Sequence, residues 1–343
     1  MSRRPVVRLP TDGRPLLNLL SLGRSAPTGR FTPAQIDQIR RTVHRVPEVM
    51  VKVTGGGTKV GAVAAHFAYI SRKGELTIET DEGDRIADRD AQKALLKDWH
   101  LELSAGQYRA PRDGQATARR TKLVHNIVLS MPSPTPPDKV LAAAQNFARE
   151  KFALQHRYAM VLHTDQQHPH VHIVVKAESE DGRRLHIDKD MLRHWREDFA
   201  RLMREQGIAA NATPRVARGR NKRNTPDPIY RAKQRGASTV MRQRVTEVAT
   251  QLASTGTFSD RARTRLLETR RAVLQAWLNI ADSLEVQGET TLAGDVRHFA
   301  RHLPRVLTDR EHVAAALVAH FQQRPAKEAT PNDTRDKTRE FTR

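Results

Sequence analysis

Four of the fifteen histidines of this chain fall within ten residues, in the stretch AMVLHTDQQHPHVHIVVK at 159–176. Read with a period of two, His170 and His172 face one side of a strand, while Val171, Ile173 and Val175 face the other. Upstream, Tyr158, Met160 and Leu162 alternate with Ala159, Val161 and His163, and the polar run Thr164–Pro169 can reverse the chain. A hairpin is therefore predicted, with His163 near the facing end. Three neutral imidazoles that converge while leaving an outer position open are a common way to hold a catalytic divalent cation, because each ring offers a lone pair. Asp165 and His168 are placed to orient such ligands. A lone His-x-His is more often a half-exposed pair making ordinary hydrogen bonds; the third histidine, seven residues upstream, tips the balance towards metal.

A nucleophile is the second requirement of phosphate chemistry. The chain has no cysteine, which excludes thiol nucleophiles, thiolate metal sites and disulfides. A phenol can attack phosphorus, and the tyrosines are four: Tyr69, Tyr108, Tyr158 and Tyr230. A phenol is sluggish at neutral pH unless a cation or a base assists. Tyr158 reads as strand core, Tyr108 as a loop residue and Tyr230 as a linker contact. Tyr69 lies near the end of a helix, where spacing alone favours a space-filling aromatic over a nucleophile. His66, one turn earlier, can share its face or stand as a surface histidine.

The elements that must position these groups lie on either side. Pro33–Val46 reads as a short helix capped by Thr32, with Ile36, Ile39 and Val43 on one face. Glu48–Thr54 reads as a strand running into Gly55, Gly56, Gly57, Thr58 and Lys59. Glycines there permit close backbone approach, and Thr58 can cap the following helix so that amides face an anion. The Walker spacing is missing, and a plain strand-to-helix turn fits equally well. The helix from Thr58 to Arg72 carries Val60, Val63, Ala64, Phe67 and Ile70 as its buried stripe and closes at Gly74. A short strand at Leu76–Glu79 precedes a helix at Asp90–Leu103 with Ala94, Leu95, Trp99 and Leu103 inward. Residues 104–120 form an Arg-rich loop, expected to be mobile until it meets DNA. Lys122–Met131 is a strand, Asp138 caps a helix reaching Leu154, and Leu185–Ile187 is a short strand. A helix at Asp188–Gln206 ends at Gly207. This order implies an α+β fold, a mostly antiparallel central sheet flanked by helices. Trp99, Trp195 and Phe199 are core candidates, which leaves few aromatics for base stacking.

Lys and Arg number 59 against 38 Asp and Glu, a formal charge of +21, and the isoelectric point is near 11.0. Such an excess implies a polyanionic partner, nucleic acid before membrane. No window approaches the roughly 18 apolar residues of a membrane span, and the N-terminus lacks a secretory core, so a cytoplasmic protein without membrane insertion is expected.

The blocks VKVTGGGTK, HFAYISRKGEL, HNIVLSMP, HTDQQHPHVHIVV and REQGIAANATPRVARG, in this order, resemble the relaxase domain of conjugative and mobilisable plasmids. These are His-hydrophobe-His (HUH) endonucleases, and the similarity is greatest to the T-DNA border endonuclease branch. The resemblance spans about residues 48–220. It implies that Tyr69 attacks one phosphodiester at a transfer origin, joining the 5′ phosphate and freeing a 3′ hydroxyl. It implies that His163, His170 and His172 hold Mg²⁺ or Mn²⁺, and that Asp165 occupies the acidic position of an HxD element. Relatives can place an acidic residue just before the strand at His125–Met131; Arg119–Val124 contains none, which leaves Asp165 and His66 as candidates to activate the tyrosine. Single-stranded or extruded hairpin DNA at a transfer origin, relaxosome accessory proteins and a type IV coupling protein are the implied partners. The implied setting is the bacterial cytoplasm, with transfer to a recipient cell alongside DNA. A rolling-circle replication initiator is the alternative enzyme, and a metal-stabilised DNA-binding protein without chemistry the alternative outside enzymes.

Around the domain at 48–220, residues 1–47 are read as a basic arm and short helix. Residues 221–238 are read as a basic linker, 239–323 as a small helical C-terminal region of two or three helices, and 324–343 as a disordered charged tail. Leu266, Leu267, Val273, Leu274, Trp277 and Leu278 form one apolar set in that region, and Val313, Ala316, Leu317 and Phe321 another. Arg215–Arg244 holds ten basic residues and one acidic residue, Asp227, and reads as a DNA-backbone track or a plain basic linker. The residues expected to contact DNA are Lys59, Arg72, Lys73, Arg215, Arg218, Arg220, Lys222 and Arg223.

Overall fold

The computed structural model describes residues 6–7, 30–107, 121–220, 232, 235–255, 260 and 262–322. In chain order the strands are β1 Val6–Val7, β2 Met50–Gly55, β3 Ile78–Thr80, β4 Arg85–Ile86, β5 Val124–Ser130, β6 Tyr158–His163, β7 His170–Lys176 and β8 Arg184–Leu185. The helices are α1 Pro33–Val43, α2 Val60–Ile70, α3 Arg89–Asp98, α4 Leu101–Gln107, α5 Pro137–Phe152, α6 Lys189–Glu205, α7 Thr239–Thr255, α8 Ala262–Val286, α9 Thr290–Arg301 and α10 Asp309–Gln322. The chain divides into two compact units: Met1–Pro214 with Ala276–Arg301, and Arg215–Gln275 with His302–Arg343.

The first unit is built on a six-stranded antiparallel sheet in the order β2-β5-β7-β6-β3-β4. Alternation along the strands sends Val51, Ile127, Leu129, Val171, Ile173 and Val175 to one face, where α5 and α6 cover them. Trp195 is the pivot of that layer, its ring 5.8 Å from Phe147 and 5.6 Å from Phe152. Val124, Val161 and Val174 turn to the other face and pack under Val63, Phe67 and Ile70 of α2, Leu95 and Leu96 of α3, and Trp99. The sheet is an α+β core whose second face is only partly roofed, with Met50 at its edge 41% exposed. Burying each large side chain in these layers contributes about 1.5–3 kcal/mol, which is what holds the strands in register beneath the site.

The edge strand is secured by polar groups from far along the chain. Asn211 Nδ2 donates to Thr42 Oγ1 at 3.1 Å, Thr213 Oγ1 at 2.8 Å and Glu48 Oε1 at 3.3 Å. The Thr213 amide donates to Glu48 Oε2 at 2.7 Å, and the Val49 amide to the Asn211 carbonyl at 2.9 Å. Helix α1, with its capping box at Thr32 and Gln35, lies against α9, with Arg40 3.8 Å from Glu289 and His44 3.4 Å from Asp295.

Several local expectations are corrected. Helix α2 starts at Val60 behind Lys59, and no side chain caps it, Thr58 included. The glycines before it serve close packing on β5: a Cβ at Gly56 would stand 2.2 Å from the Val124 carbonyl oxygen. The helix expected at 90–103 is two, capped by Asp88 and broken at His100, whose φ is 48°. The change of axis turns Leu103 outward, 67% exposed. The strand expected at Leu76–Glu79 is shifted to β3 and forms a hairpin with β4. Pro136, not Asp138, is the N-cap of α5; Asp138 sits in the first turn, where the helix dipole favours it, and the helix ends at Phe152 because Leu154 has a left-handed φ of 67°. Strand β8 is Arg184–Leu185, and it pairs in parallel with Val6–Val7 of the expected arm. Apart from those two residues, the arm up to residue 29 lies outside the described residues, as do Tyr108, Tyr230, the loop beyond 107, Lys222, Arg223 and the charged tail.

In the second unit α7 and α10 pack together, and Arg263 is ion-paired with Glu311 on α10. Among the described residues four helices occupy 239–322 in place of two or three, because Gly288, at φ 86°, ends α8 before α9 begins; α9 and the part of α8 from Ala276 onward belong to the first unit. Val273 and Trp277 are buried, whereas Leu267 and Leu278 are exposed. Among the described residues no helix is long and apolar enough to cross a membrane.

Candidate active site

The β6–β7 register sets His163 directly opposite His170 and Val161 opposite His172, so all three imidazoles share one face. Their ring centroids are 5.0 Å (His163–His170), 4.6 Å (His163–His172) and 5.1 Å (His170–His172) apart. One ring nitrogen from each lies within 4.8 Å of the others, close enough to share one cation.

The protein fixes the tautomers. His163 Nε2–H donates to the Ile70 carbonyl at 2.6 Å, leaving Nδ1 with its lone pair. His170 Nδ1–H donates to the His168 carbonyl at 3.0 Å, leaving Nε2. His172 Nδ1 is buried with no hydrogen-bond partner. Burial lowers the pKa of His163, with the fields of His170 and Arg72 acting in the same direction. Burial, then the fields of His163, His170, His66 and Arg72, push His172 down to about 3. Burial thus keeps His163 and His172 in the neutral form that binds a divalent ion, and the orphaned nitrogen of His172 is what such an ion would satisfy.

Tyr69 belongs to the last turn of α2, one position before Ile70, and is 53% exposed, so it is not the space-filling aromatic its helical spacing suggested. Its ring stacks beside His66, with centroids 6.3 Å apart and planes 24° from parallel. His66 meets His172 edge-on at 6.4 Å. Burial lowers the pKa of His66, and its Nε2 is buried without a partner. The bond from His163 to the Ile70 carbonyl ties the end of α2 to the histidine cluster.

Immediately after α2, the turn Arg72–Gly74 carries three successive positive φ values, 52°, 62° and 100°. Left-handed backbone costs an ordinary residue about 1–2 kcal/mol. Buried Ser71 braces the turn, its Oγ accepting from the Gly74 amide at 3.3 Å and from Gln92 Nε2 at 3.1 Å. The turn brings the Arg72 guanidinium into a short hydrogen bond with Asp165, to 3.4 Å from His163 Nδ1, and over the Tyr69 ring with Cζ 5.5 Å from its centre. Burial opposes the Arg72 charge, but Asp165 and then Tyr69 outweigh it and raise the pKa. Asp165 is held below the usual carboxylate range: burial acts against this, and Arg72 overcomes it.

Of the residues singled out from sequence, the structure gathers Tyr69, Asp165, His163, His170, His172, His66 and Arg72. Asp165 Oδ1 lies 3.7 Å from His163 Nδ1. His168 contributes its carbonyl to His170, while its ring accepts the Ser133 amide at 3.2 Å. Lys59 is exposed just before α2, and Lys73 is exposed in the turn. Arg215 and Arg220 are exposed and Arg218 half-buried in the second unit. Sequence reasoning missed the bracing pair Ser71 and Gln92 and the contact of Arg72 with the tyrosine; a helix ending in Ser before two non-glycine turn residues was the only local trace of it.

Residues 69–208 match the family model described as relaxase, MobA/VirD2-like, nuclease domain. The chain is similar to the T-DNA border endonuclease VirD2 of Agrobacterium fabrum (strain C58), 27% identical over 205 residues that cover 55% of this chain and 44% of the relative. It is also similar to the proteins of that name from Rhizobium radiobacter, 27% identical over 231 residues (62% and 52% covered), and from Rhizobium rhizogenes, 26% identical over 189 residues (50% and 42% covered). The chain spans about half the length of these curated relatives. The six-stranded sheet, the histidine cluster on its open face and the match from Tyr69 onward together liken residues 69–208 to the nuclease domain of MobA/VirD2-like relaxases.

Proposed function

We propose that this protein nicks one DNA strand at a transfer origin and rejoins it, starting the transfer of that strand to another cell. The observation that carries the reading is the continuous run of side chains from an exposed phenol to three imidazoles: Tyr69 beside His66, His66 against His172, and Arg72 reaching Tyr69, His163 and Asp165. Tyr69 attacks the phosphorus in line, gains the 5′ phosphate and releases the 3′ hydroxyl. A phosphodiester is exchanged for a phosphotyrosyl ester of similar energy, so the step reverses without ATP. A divalent ion, Mg²⁺ or Mn²⁺, bound by His163, His170 and His172 would offset charge on the nonbridging phosphate oxygens. Asp165 holds Arg72 and flanks His163, fixing the side chains around the tyrosine. Lys59, Lys73, Arg215, Arg218, Arg220, Lys222 and Arg223 are assigned to the DNA backbone, where each neutralised phosphate would add to the salt dependence of binding. The strand must be unpaired for its phosphate to reach the imidazoles, so single-stranded or hairpin DNA is the substrate class. Relaxosome accessory proteins and a type IV coupling protein, in a bacterial cytoplasm, complete the reading.

The test is to incubate the protein with single-stranded oligonucleotides and Mn²⁺ and look for a covalent adduct that survives denaturant. The parent should form it, and Tyr69→Phe should not. DNA binding without any adduct in the parent would remove the enzymatic reading.

A further inference from the structure

Arg72 and Lys73 hold consecutive left-handed backbone conformations although neither is glycine or asparagine. Strain of this kind persists where the surroundings over-determine it, and it gathers at functional sites. At Arg72 the surroundings are specific. Its Nη2 donates to Asp165 and lies 3.4 Å from His163 Nδ1, and its Cζ stands over the Tyr69 ring, 5.5 Å from the ring centre. Its side chain is 29% exposed, less open than the surface cations of a general DNA track. A planar fork can bond a carboxylate with one edge while lying over an aromatic ring, a combination an ammonium cannot make.

We infer that Arg72 is a catalytic residue that carries the negative charge of the Tyr69 oxygen, and is not a general contact to the DNA backbone. The inference rests on Tyr69 being the nucleophile. In cleavage the phenolic O–H bond breaks, the phenolic oxygen bonds to phosphorus, and the bond from phosphorus to the 3′ oxygen breaks. The proton passes through solvent to the released 3′ hydroxyl, so no further reactant is consumed. In rejoining, the 3′ oxygen attacks and the phenolate leaves. Charge gathers on the same oxygen in both directions, beside a guanidinium that never loses its own charge. Asp165 acts through Arg72 as a positioning residue.

The experiment uses the full chain and the oligonucleotide it cuts best, selected from a random single-stranded pool in Mn²⁺. Single-turnover cutting and rejoining rates are measured for the parent, Arg72→Ala and Arg72→Gln, with affinity measured separately by anisotropy. Both variants should cut and rejoin about a hundredfold more slowly, the scale of losing one oxyanion donor, with affinity within about threefold of the parent. Guanidinium ion, added well below denaturing levels, should restore at least tenfold to Arg72→Ala. Arg72→Gln, which can still bond Asp165, guards against a folding defect: a parent-like melting curve with slow cutting is expected. Parent-rate cutting in either variant, or affinity falling in step with rate and no rescue, overturns the role of Arg72. Survival of the adduct in Tyr69→Phe overturns the reading beneath it, and this inference with it, a result distinct from failed rescue in a protein that still needs Tyr69.

Discussion

Replacing Gly74 by alanine tests whether the turn after α2 is a rigid mount. Gly74 has a φ of 100°, and a Cβ there would stand 2.9 Å from the Ala87 carbonyl oxygen, so the substitution meets both backbone strain and a backbone clash. Gly83 is the matched control, with a φ of 90° and nothing within 4 Å of the added carbon. The conformational part is about 1–2 kcal/mol in each. The clash adds about 1–2 kcal/mol at Gly74 alone, as overpacking does elsewhere. Unfolding of a unit this size moves by about 2–4 °C per kcal/mol. Gly74→Ala should therefore melt about 4–16 °C below the parent, and Gly83→Ala about 2–8 °C below, with Gly74→Ala losing roughly twice as much. The catalytic consequence should separate them further. The Gly74 amide donates to Ser71 Oγ, and Arg72 lies between these two residues, so a displaced turn shifts the guanidinium relative to Tyr69. Adduct formation, measured well below both melting points, should slow at least tenfold in Gly74→Ala and stay at the parent rate in Gly83→Ala. Equal melting points together with parent-rate cutting in Gly74→Ala would refute the idea that this turn fixes the site.

Three more outcomes follow from the same structure. Trp195→Ala removes the centre of the aromatic layer beneath the sheet and should destabilise the first unit by about 3–5 kcal/mol in urea titration, while the folded fraction keeps its cutting rate. Glu197 is raised from 4.5 to about 6, chiefly by burial, with His194 opposing. Folding thus favours its protonated form, a contribution fully present below pH 4.5 and lost as pH rises through about 6. With its partial exposure, the effect should be below about 1 kcal/mol; Glu197→Gln should flatten the stability profile across that window, and an unchanged slope would show another group responsible. Mn²⁺ should raise the melting point of the parent, by about 2.7 kcal/mol of stability at a hundredfold excess over Kd; His170→Ala and His172→Ala should abolish the rise and the cutting while remaining folded, and chelator should reverse it in the parent.

The histidine hairpin was legible because its information is local: a two-residue period and one polar turn determine which imidazoles share a face. The same arithmetic placed Trp195 and Phe199 inside. Tyr69 was within reach of it too, since Val63, Phe67 and Ile70 form the buried stripe of α2 and His66 and Tyr69 lie beside that stripe. What local pattern could not supply was long-range or conformational. The Arg72–Asp165 bond joins residues 93 positions apart. Gly74 announced a turn after α2, but nothing local showed that Arg72 and Lys73 would be left-handed too, and no glycine marks the break at His100 that turned Leu103 outward. Strand β4, two residues long, is too short for any period to register.

The clasp of Asn211 and Thr213 on Glu48 also bears on how the molecule is made. Its halves are more than 160 positions apart, and helix α9, which lies against α1, comes later still. On the ribosome the imidazole-bearing hairpin can form as soon as it emerges, whereas the rim of the sheet must wait for segments not yet translated. Closures this distant are slow to form, and the nascent chain holds its border strand without this fastening until the segment around Thr213 has been made.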